Sequence, residues 1–149
     1  MSGDQDTGTS GNRENRESGN PEKDPKLAGF EKLWVWELAH QLMLEMHKTC
    51  KSLPYQEKFR ISNQLERSSS SVADNIAEGY TSYYYQEKIK GFFVARKEAG
   101  ETQNHIRSLL GKGYIKSIEA RHFIEEYERV IRGINGYVNW VRKKAGYKK

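Results

Sequence analysis

The sequence offers little that could cross-link the chain, carry it across a membrane or build a sheet. It has one cysteine, Cys50, and of its three prolines only Pro54 lies beyond residue 25. No stretch approaches the roughly 18 to 20 apolar residues that a membrane span needs, and no alternating pattern indicates a β-strand. These absences exclude an internal disulfide, a membrane helix and a sheet. For a protein with a lone cysteine we expect a cytoplasmic location and no membrane partner.

The first 29 residues lack apolar side chains almost completely. Apart from Met1, Leu27 and Ala28 they are polar, charged or glycine and proline, a composition that cannot offset the entropy lost on ordering. We therefore expect a disordered tail at 1–29 and one folded domain at 30–149. The acidic, polar start also predicts that there is no secretory signal.

Charge is unevenly divided between these two parts. The tail has four basic and six acidic residues, which leaves 21 basic and 14 acidic residues in the domain, a net charge of +7. A basic domain favours polyanionic partners such as RNA. A charge of this size is also ordinary for solubility, so both interpretations stay open.

Four segments show the spacing of amphipathic helices, with apolar residues every three or four positions. Their short connections favour an all-α, antiparallel, up-down-up-down four-helix bundle. Gly79 is expected to follow the end of the second helix, and Thr81-Ser82 to cap the start of the third. The first segment is 34–53 and stops at Pro54, and the second is about 56–78. The third runs from Thr81-Ser82 to Gly111 and Gly113, and the fourth is 117–146.

A run of four serines, Ser68 to Ser71, interrupts the second segment. Alone, such a run is typical of a linker, because the hydroxyl competes for backbone hydrogen bonds. Here Leu65 and Val72 lie on one helical face and Ser68 fills the missing step between them. The serines are therefore predicted to be helical, and their small size to let a neighbouring helix approach. Gly133 and Gly136 are expected to act alike, although a bend or an exposed face would also explain them.

Several segments together resemble the bacterial four-helix-bundle proteins encoded in intervening sequences of 23S ribosomal RNA genes. The resemblance implies a small, non-enzymatic bundle protein over about 30–145. Fold relatives in diversity-generating retroelements, the accessory variability proteins, form pentameric rings that engage a reverse transcriptase and nucleic acid. The resemblance to this family and its fold relatives therefore implies a homo-oligomer, with a pentamer favoured. It also implies RNA or a nucleic-acid-processing protein as the partner. The segments are LWVW at 33–36, QLERSSSSVADNIAEGY at 64–80, FFVARKEAGETQNHI at 92–106 and KGYI at 112–115.

The sequence departs from the usual pattern of that family at two places. Lys97-Glu98 stands where family members commonly have Gly-Ser, and Ser68-Ser69 where alanines are common. The first departure puts close packing at Lys97 in question.

One side of the second segment carries a polar stripe. Arg67 of this stripe could bind an anion, or it could pair with Asp74, with a neighbouring helix or with another subunit. Asn75 is expected to bond across a helix seam, and Glu78 to hold the following turn. A structural role is favoured, because a buried polar group left unpaired costs about 1 to 3 kcal/mol. The stripe consists of Arg67, Ser71, Asp74, Asn75 and Glu78.

Two segments mix cations with aromatic rings, as proteins that bind single-stranded RNA do. The alternatives are an oligomer interface or local packing for the tyrosines, and a solvated helix end for the C-terminal cations. Candidate RNA-binding residues are Lys88, Lys90, Arg142, Lys143, Lys144, Lys148 and Lys149. Candidate interface residues are Trp34, Trp36, Tyr80, Tyr83, Tyr84 and Tyr85.

Catalytic motifs are missing: there is no phosphate-binding glycine loop, no cysteine ligand pair and no recognisable nucleophile. The remote enzymatic alternative is a di-metal site, because Glu37-x-x-His40 and Glu119-x-x-His122 match the spacing used by metal-binding bundles. In antiparallel helices these pairs should lie roughly 25 Å or more apart. We expect no cofactor and no enzyme, but an oligomeric RNA-binding or scaffolding module; a protein-interaction adaptor is the alternative.

Overall fold

The computed structural model describes residues 26–146, so most of the predicted tail and the last three residues lie outside it. Within this range there are four long helices and no strands. Each helix packs against its neighbours in chain order, and the last packs against the first. The chain is thus an all-α, up-down-up-down four-helix bundle, as predicted. The helices are α1 (Trp34–Lys51), α2 (Asn63–Thr81), α3 (Tyr85–Gly111) and α4 (Ser117–Lys144).

The order of contacts along α4 shows that it runs antiparallel to its neighbours. Its first turn reaches the end of α1, where Thr49 Oγ1 donates to Glu119 Oε2 at 2.8 Å. Asn135 lies sixteen residues further along α4 than Glu119, and it accepts a hydrogen bond from Arg96 Nη1 of α3 at 2.7 Å. The core between the helices is a column of apolar side chains spaced at three and four. Its largest fully buried members are Tyr127, Phe92, Phe123, Leu42, Met46, Leu65, Ile76, Ile106, Leu109 and Ile134.

The serine run lies inside α2, which confirms the helical prediction. Ser68 and Ser69 are completely buried. The Ser68 hydroxyl lies 2.7 Å from Thr102 Oγ1 of α3, and the Ser69 hydroxyl donates to the Glu66 carbonyl oxygen at 3.3 Å. Because both hydroxyls have partners, they can be buried at a helix seam without the penalty of an unpaired polar group.

Gly79 does not end α2, contrary to the prediction. The helix continues through Thr81, and Ser82 is its C-terminal cap. A Cβ at Gly79 would come within 2.9 Å of the Phe92 ring, and one at Gly91 within 2.8 Å of the Gly79 Cα. The two glycines are therefore needed because the backbones of α2 and α3 touch here, and not because the chain needs a positive φ.

Thr81 and Ser82 do not cap α3 either. The residue before that helix is Tyr84, whose side chain makes no capping hydrogen bond. The Ser82 hydroxyl instead donates backwards, to the Glu78 carbonyl oxygen at 2.8 Å. The Thr81-Ser82 pair belongs to the end of α2 because the hydroxyl finds an open carbonyl there.

At the opposite turns, the start of the second helix differs from the prediction and the end of the third agrees with it. The predicted start of the second helix near Gln56 falls in a 3₁₀ turn, Tyr55–Glu57, followed by a π turn, Lys58–Ser62, before α2 begins. Gly113 has φ +80°, and its amide donates to the Leu110 carbonyl oxygen at 3.0 Å. This left-handed glycine stops α3 where the sequence predicts.

Candidate nucleic-acid interface

The antiparallel order gathers aromatic residues from four separate segments in one half of the bundle. This half holds the starts of α1 and α3 and the ends of α2 and α4. The Tyr137 ring stacks on Phe92 at 4.1 Å between centroids, and lies 6.2 Å from Tyr80 and 5.9 Å from Trp140. We call this surface the aromatic half. It is defined by Trp34, Tyr80, Tyr83, Tyr84, Tyr85, Tyr137 and Trp140.

Most of the rings in the aromatic half face solvent. Tyr83 is 86% exposed, Trp34 and Trp140 are each 54% exposed, and Tyr84 is also exposed. Trp36 behaves differently, because it packs edge-on against Phe30 and stacks on His40. The predicted interface residues are thus exposed in the single chain, except that Trp36 and Tyr80 are half-buried.

Cations lie beside several of these rings. Lys88 Nζ is 5.4 Å from the centre of the Tyr80 ring and donates to the Tyr80 carbonyl oxygen at 2.6 Å. Arg142 lies 5.5 Å from the Phe93 ring, and Lys144 lies 5.6 Å from Trp140. Lys88 therefore holds the α2–α3 turn, while the α4 cations lie beside one half-buried ring, Phe93, and one exposed ring, Trp140.

The remaining predicted RNA contacts divide into two groups. Lys90 and Lys143 are exposed, and no hydrogen bond or ion pair engages them within residues 26–146. Lys148 and Lys149 lie outside the described residues.

A cavity of about 450 Å³ opens between the start of α1 and the second half of α4. Arg129 lies 5.9 Å from the centre of the Trp34 ring, and its Nη1 also pairs with Glu126 at 2.8 Å. Arg132 has no hydrogen-bond or ion-pair partner in the described chain. The cavity is lined by Leu33, Trp34, Val35, Arg129, Arg132, Gly133, Gly136 and Tyr137.

The two glycines of α4 do different things in this cavity. A Cβ at Gly133 would come within 2.7 Å of the Trp34 ring, so this glycine makes room for a side chain of α1 and not, as predicted, for a helix backbone. At Gly136 nothing lies within 4 Å, so close packing of a neighbouring helix is not its role. Sequence reasoning missed Arg129 and Arg132, because only packing of α4 on α1 brings them beside Trp34. Their spacing of three in a helix was the one available signal.

The polar stripe of α2 makes contacts within the bundle. Arg67 pairs with Glu101 of α3 at 3.6 Å and not with Asp74. Its partner is therefore on the neighbouring helix, one of the alternatives that the sequence left open. Asn75 does not bond across a seam, because its Nδ2 donates to the Ser71 carbonyl oxygen at 2.8 Å, one turn earlier in α2. The bond from Ser82 goes to the backbone carbonyl oxygen of Glu78, so the Glu78 side chain does not hold the turn. The side chains of Asp74 and Glu78 are exposed, and no hydrogen bond or ion pair engages them within residues 26–146.

A carboxyl of α3 near this stripe has an unfavourable environment. Glu98 Oε1 is buried and has no hydrogen-bond partner among residues 26–146. Burial, with a smaller contribution from the neighbouring Glu101, raises the pKa of Glu98 despite the opposing charge of Arg67. Lys97, the other unusual residue at this point, is exposed, so the helices are not closely packed at its position.

The other half of the bundle carries a different surface. Its cavity, of about 310 Å³, contains Arg107 and Arg121 together with Glu125, and no aromatic side chain lines it. Three apolar side chains that the sequence did not single out are strongly exposed in this half: Tyr55, Phe59 and Ile118.

The residues of the di-metal alternative are separated. His122 Nε2 lies 2.8 Å from Glu45 Oε1, and Glu119 accepts the Thr49 hydroxyl, all near the end of α1. Glu37 and His40 lie near its start. Within residues 26–146 no group of three or more His, Cys, Asp or Glu side chains is arranged to hold a metal ion. Nor does that range contain a helix long and apolar enough to cross a membrane.

Fold and surface together define a small helical-bundle protein with a basic, aromatic half. A family model of 23S rRNA-intervening sequence proteins matches residues 31–136, and the chain belongs to this family. No protein with a curated description matches it significantly.

The fold also matches a solved structure. This is the 1.70 Å crystal structure of a protein of unknown function from the S23 ribosomal protein family of Bacteroides thetaiotaomicron VPI-5482. The TM-score is 0.66 at 22% sequence identity, over 70% of this chain and 95% of that chain. The likeness establishes the fold alone.

Proposed function

We propose that this protein is a non-catalytic RNA-binding module that holds RNA on its aromatic half. One observation carries the proposal: chain segments far apart in sequence place exposed rings and cations on the same surface. Tyr83 and Trp140 offer flat faces for bases, and Lys143 and Lys144 offer charges for phosphates. Each base that stacks on such a ring contributes about 1–3 kcal/mol.

The proposed recognition has little sequence preference. Tyrosine and tryptophan stack on any base, and ammonium groups attract any phosphate. Sequence readout would need fixed donors and acceptors aimed at base edges. Since rings stack best on unpaired bases, single-stranded or locally unpaired RNA is the expected ligand.

A homo-oligomer is part of the proposal. Tyr83 and Tyr84 lie in the α2–α3 turn, are exposed, and contact each other edge-to-face at 5.0 Å. Such rings are typical of an interface between subunits. A pentamer is favoured by the family resemblance, and several copies would add their weak phosphate contacts together. Light scattering at micromolar concentration tests this: the proposal requires a mass above one chain, and Tyr83→Ser with Tyr84→Ser should lower it.

The second candidate function is a protein-interaction adaptor that binds no nucleic acid. The side chains Tyr55, Phe59 and Ile118 in the other half favour it, because three large apolar groups are strongly exposed there. This candidate predicts no salt-dependent RNA affinity.

RNA binding measured across a salt series separates the two functions. In the first variant Arg142, Lys143, Lys144, Lys148 and Lys149 become alanine. In the matched control Lys48, Lys51, Arg107, Lys116 and Arg121 become alanine, which removes the same charge from exposed positions in the other half. Circular dichroism confirms that both variants fold.

The C-terminal variant should bind more weakly and show a shallower salt dependence, since each lost phosphate contact reduces the slope of log K against log salt by about 0.7 for single strands. The control should change much less. If all three proteins bind equally, the assignment of the C-terminal cations as RNA contacts is wrong. If none binds at about 50 mM salt, where phosphate contacts are strong, the RNA proposal is wrong and the adaptor is preferred.

A further inference from the structure

We propose that the cavity between α1 and α4 holds one unstacked nucleotide of a single-stranded RNA. Its base lies against Trp34, and its phosphate lies against Arg129 and Arg132. This inference rests on the proposed RNA-binding function and assigns a place to one nucleotide within it. The volume, about 450 Å³, is within the range of small-ligand sites, whereas a duplex could not enter.

The Trp34 ring is held in position before any ligand arrives. Its six-membered edge lies against the α4 backbone at Gly133, where even a methyl group would collide with it. Half of the side chain nevertheless remains exposed. A ring that is fixed but uncovered loses little conformational entropy when a base stacks on it. It is therefore a better stacking surface than Tyr83, which is almost fully exposed.

Positive charge adjoins this ring from one face of α4. Arg129 and Arg132 are three residues apart and both line the cavity. Glu126 partly neutralises Arg129, but no acceptor within residues 26–146 engages the Arg132 guanidinium. A guanidinium binds phosphate with paired hydrogen bonds. An anion at this position would satisfy Arg132.

Gly136 lies on an exposed face of α4, one of the two alternatives for this glycine, and it also lines the cavity. Glycine inside a helix is less stable than alanine by about 1 kcal/mol. At Gly133 the contact with Trp34 explains it, but no atom lies within 4 Å of the position a Cβ would take at Gly136. A longer side chain would project into the cavity. Glycine at this position keeps the cavity open.

The cavity in the other half of the bundle lacks the aromatic ring of the proposed nucleotide site. It too has two arginines, Arg107 and Arg121, but it has an acidic neighbour, Glu125, and no aromatic ring in its lining. It offers charge without a stacking surface. It therefore supplies the control position for a test of the nucleotide site.

The test measures binding of a labelled six-nucleotide uridine RNA to the full chain. Gly136→Leu fills the cavity, and Gly100→Leu is its control at another helical glycine with no atom within 4 Å. Arg132→Ala removes the unpaired charge, and Arg121→Ala is its control. Gly136→Leu should weaken binding about tenfold or more, as expected for loss of one stacked base. Arg132→Ala should weaken it severalfold, and both controls should stay within about twofold of the wild type.

A structural artefact is excluded by the same variants. Leucine is a better helix former than glycine, so Gly136→Leu should melt no lower than the wild type. Binding of the RNA should also quench tryptophan fluorescence, and Trp34→Phe should reduce that quenching, the remainder coming from Trp140 of the aromatic half.

Each other outcome overturns the inference in a recognisable way. If the RNA binds but Gly136→Leu and Arg132→Ala bind as the wild type does, the site is wrong and the proposed function stands. If the wild type binds no RNA at all, both are wrong. If free uridine monophosphate binds as tightly as the RNA, the site serves a free nucleotide. If Gly136→Leu lowers the mass in light scattering, the cavity receives a second copy of the chain.

Discussion

Ser68 Oγ and Thr102 Oγ1 lie 2.7 Å apart in the seam between α2 and α3, where both side chains are fully buried. Each hydroxyl also has a carbonyl acceptor in its own helix, Glu98 at 2.9 Å for Thr102 and Leu65 at 3.5 Å for Ser68, so either one can be the donor in the bond between them. The serine run therefore contributes a specific hydrogen bond between helices as well as small size.

Loss of this bond should be measurable as a coupled effect. Ser68→Ala and Thr102→Val should each lower the free energy of unfolding by about 1 kcal/mol, the usual net value of a buried hydrogen bond. The double variant should lose less than the sum, because the second change removes a partner that is already gone. Urea unfolding of the four proteins tests this, and strict additivity would contradict it.

Substitutions at two glycines of the bundle should have opposite signs. Gly79→Ala places a methyl group 2.9 Å from the Phe92 ring and 3.1 Å from the Lys88 carbonyl oxygen. Overpacking of this kind lowers stability by about 1–3 kcal/mol. Gly100→Ala meets nothing within 4 Å, so the better helix propensity of alanine should raise stability by up to about 1 kcal/mol. Thermal unfolding measures both, and a stable Gly79→Ala would mean that the helices do not touch at this point.

Glu98→Gln should stabilise the protein at neutral pH. Because burial raises the pKa of Glu98 above its unfolded value of 4.5, the native state favours the neutral carboxyl. Its contribution is complete below that unfolded pKa and is lost as pH rises through the folded pKa. Glutamine cannot ionise, so the variant should melt higher than the wild type at pH 7 and gain little near pH 4. The control, Glu125→Gln at an exposed position, should be unchanged; an equal gain at both pH values would point to packing instead.

Alkaline pH should weaken the fold through Cys50, which is buried, and Tyr137, which is half-buried. Burial, assisted by the charge of Glu66, raises the pKa of Cys50 from 9.0 to about 11, and burial raises that of Tyr137 from 10.0 to about 12. Both groups prefer to be neutral in the native state, so stability should fall as pH rises from 9.0 towards these raised values. Urea midpoints at about pH 8 and about pH 10.5 measure the loss. Cys50→Ala should show a smaller fall; a fall as large as that of the wild type would show that Cys50 does not contribute.

The sequence by itself determined the number of helices and most of their ends. Apolar residues at a spacing of three and four show which face of each helix is buried, and this periodicity is local. It was strong enough to place Ser68 to Ser71 in a helix against their usual preference. Gly113 could be predicted as a helix terminator because the residues around it form the local hydrogen bonds that end a helix. Gly79 carries the same signal and was misread.

Only the tertiary structure decided what the residues on those helices contact. Whether Gly79 ends a helix or packs against one depends on the approach of Gly91, twelve positions away in the chain. Arg129 and Arg132 become neighbours of Trp34 only when α4 packs on α1, nearly a hundred residues earlier. The periodicity of a segment shows that its apolar face will be buried, but it does not specify the register in which two helices meet. That register depends on close contacts between side chains and backbones distant in sequence, and it places the rings and cations of the aromatic half on one surface.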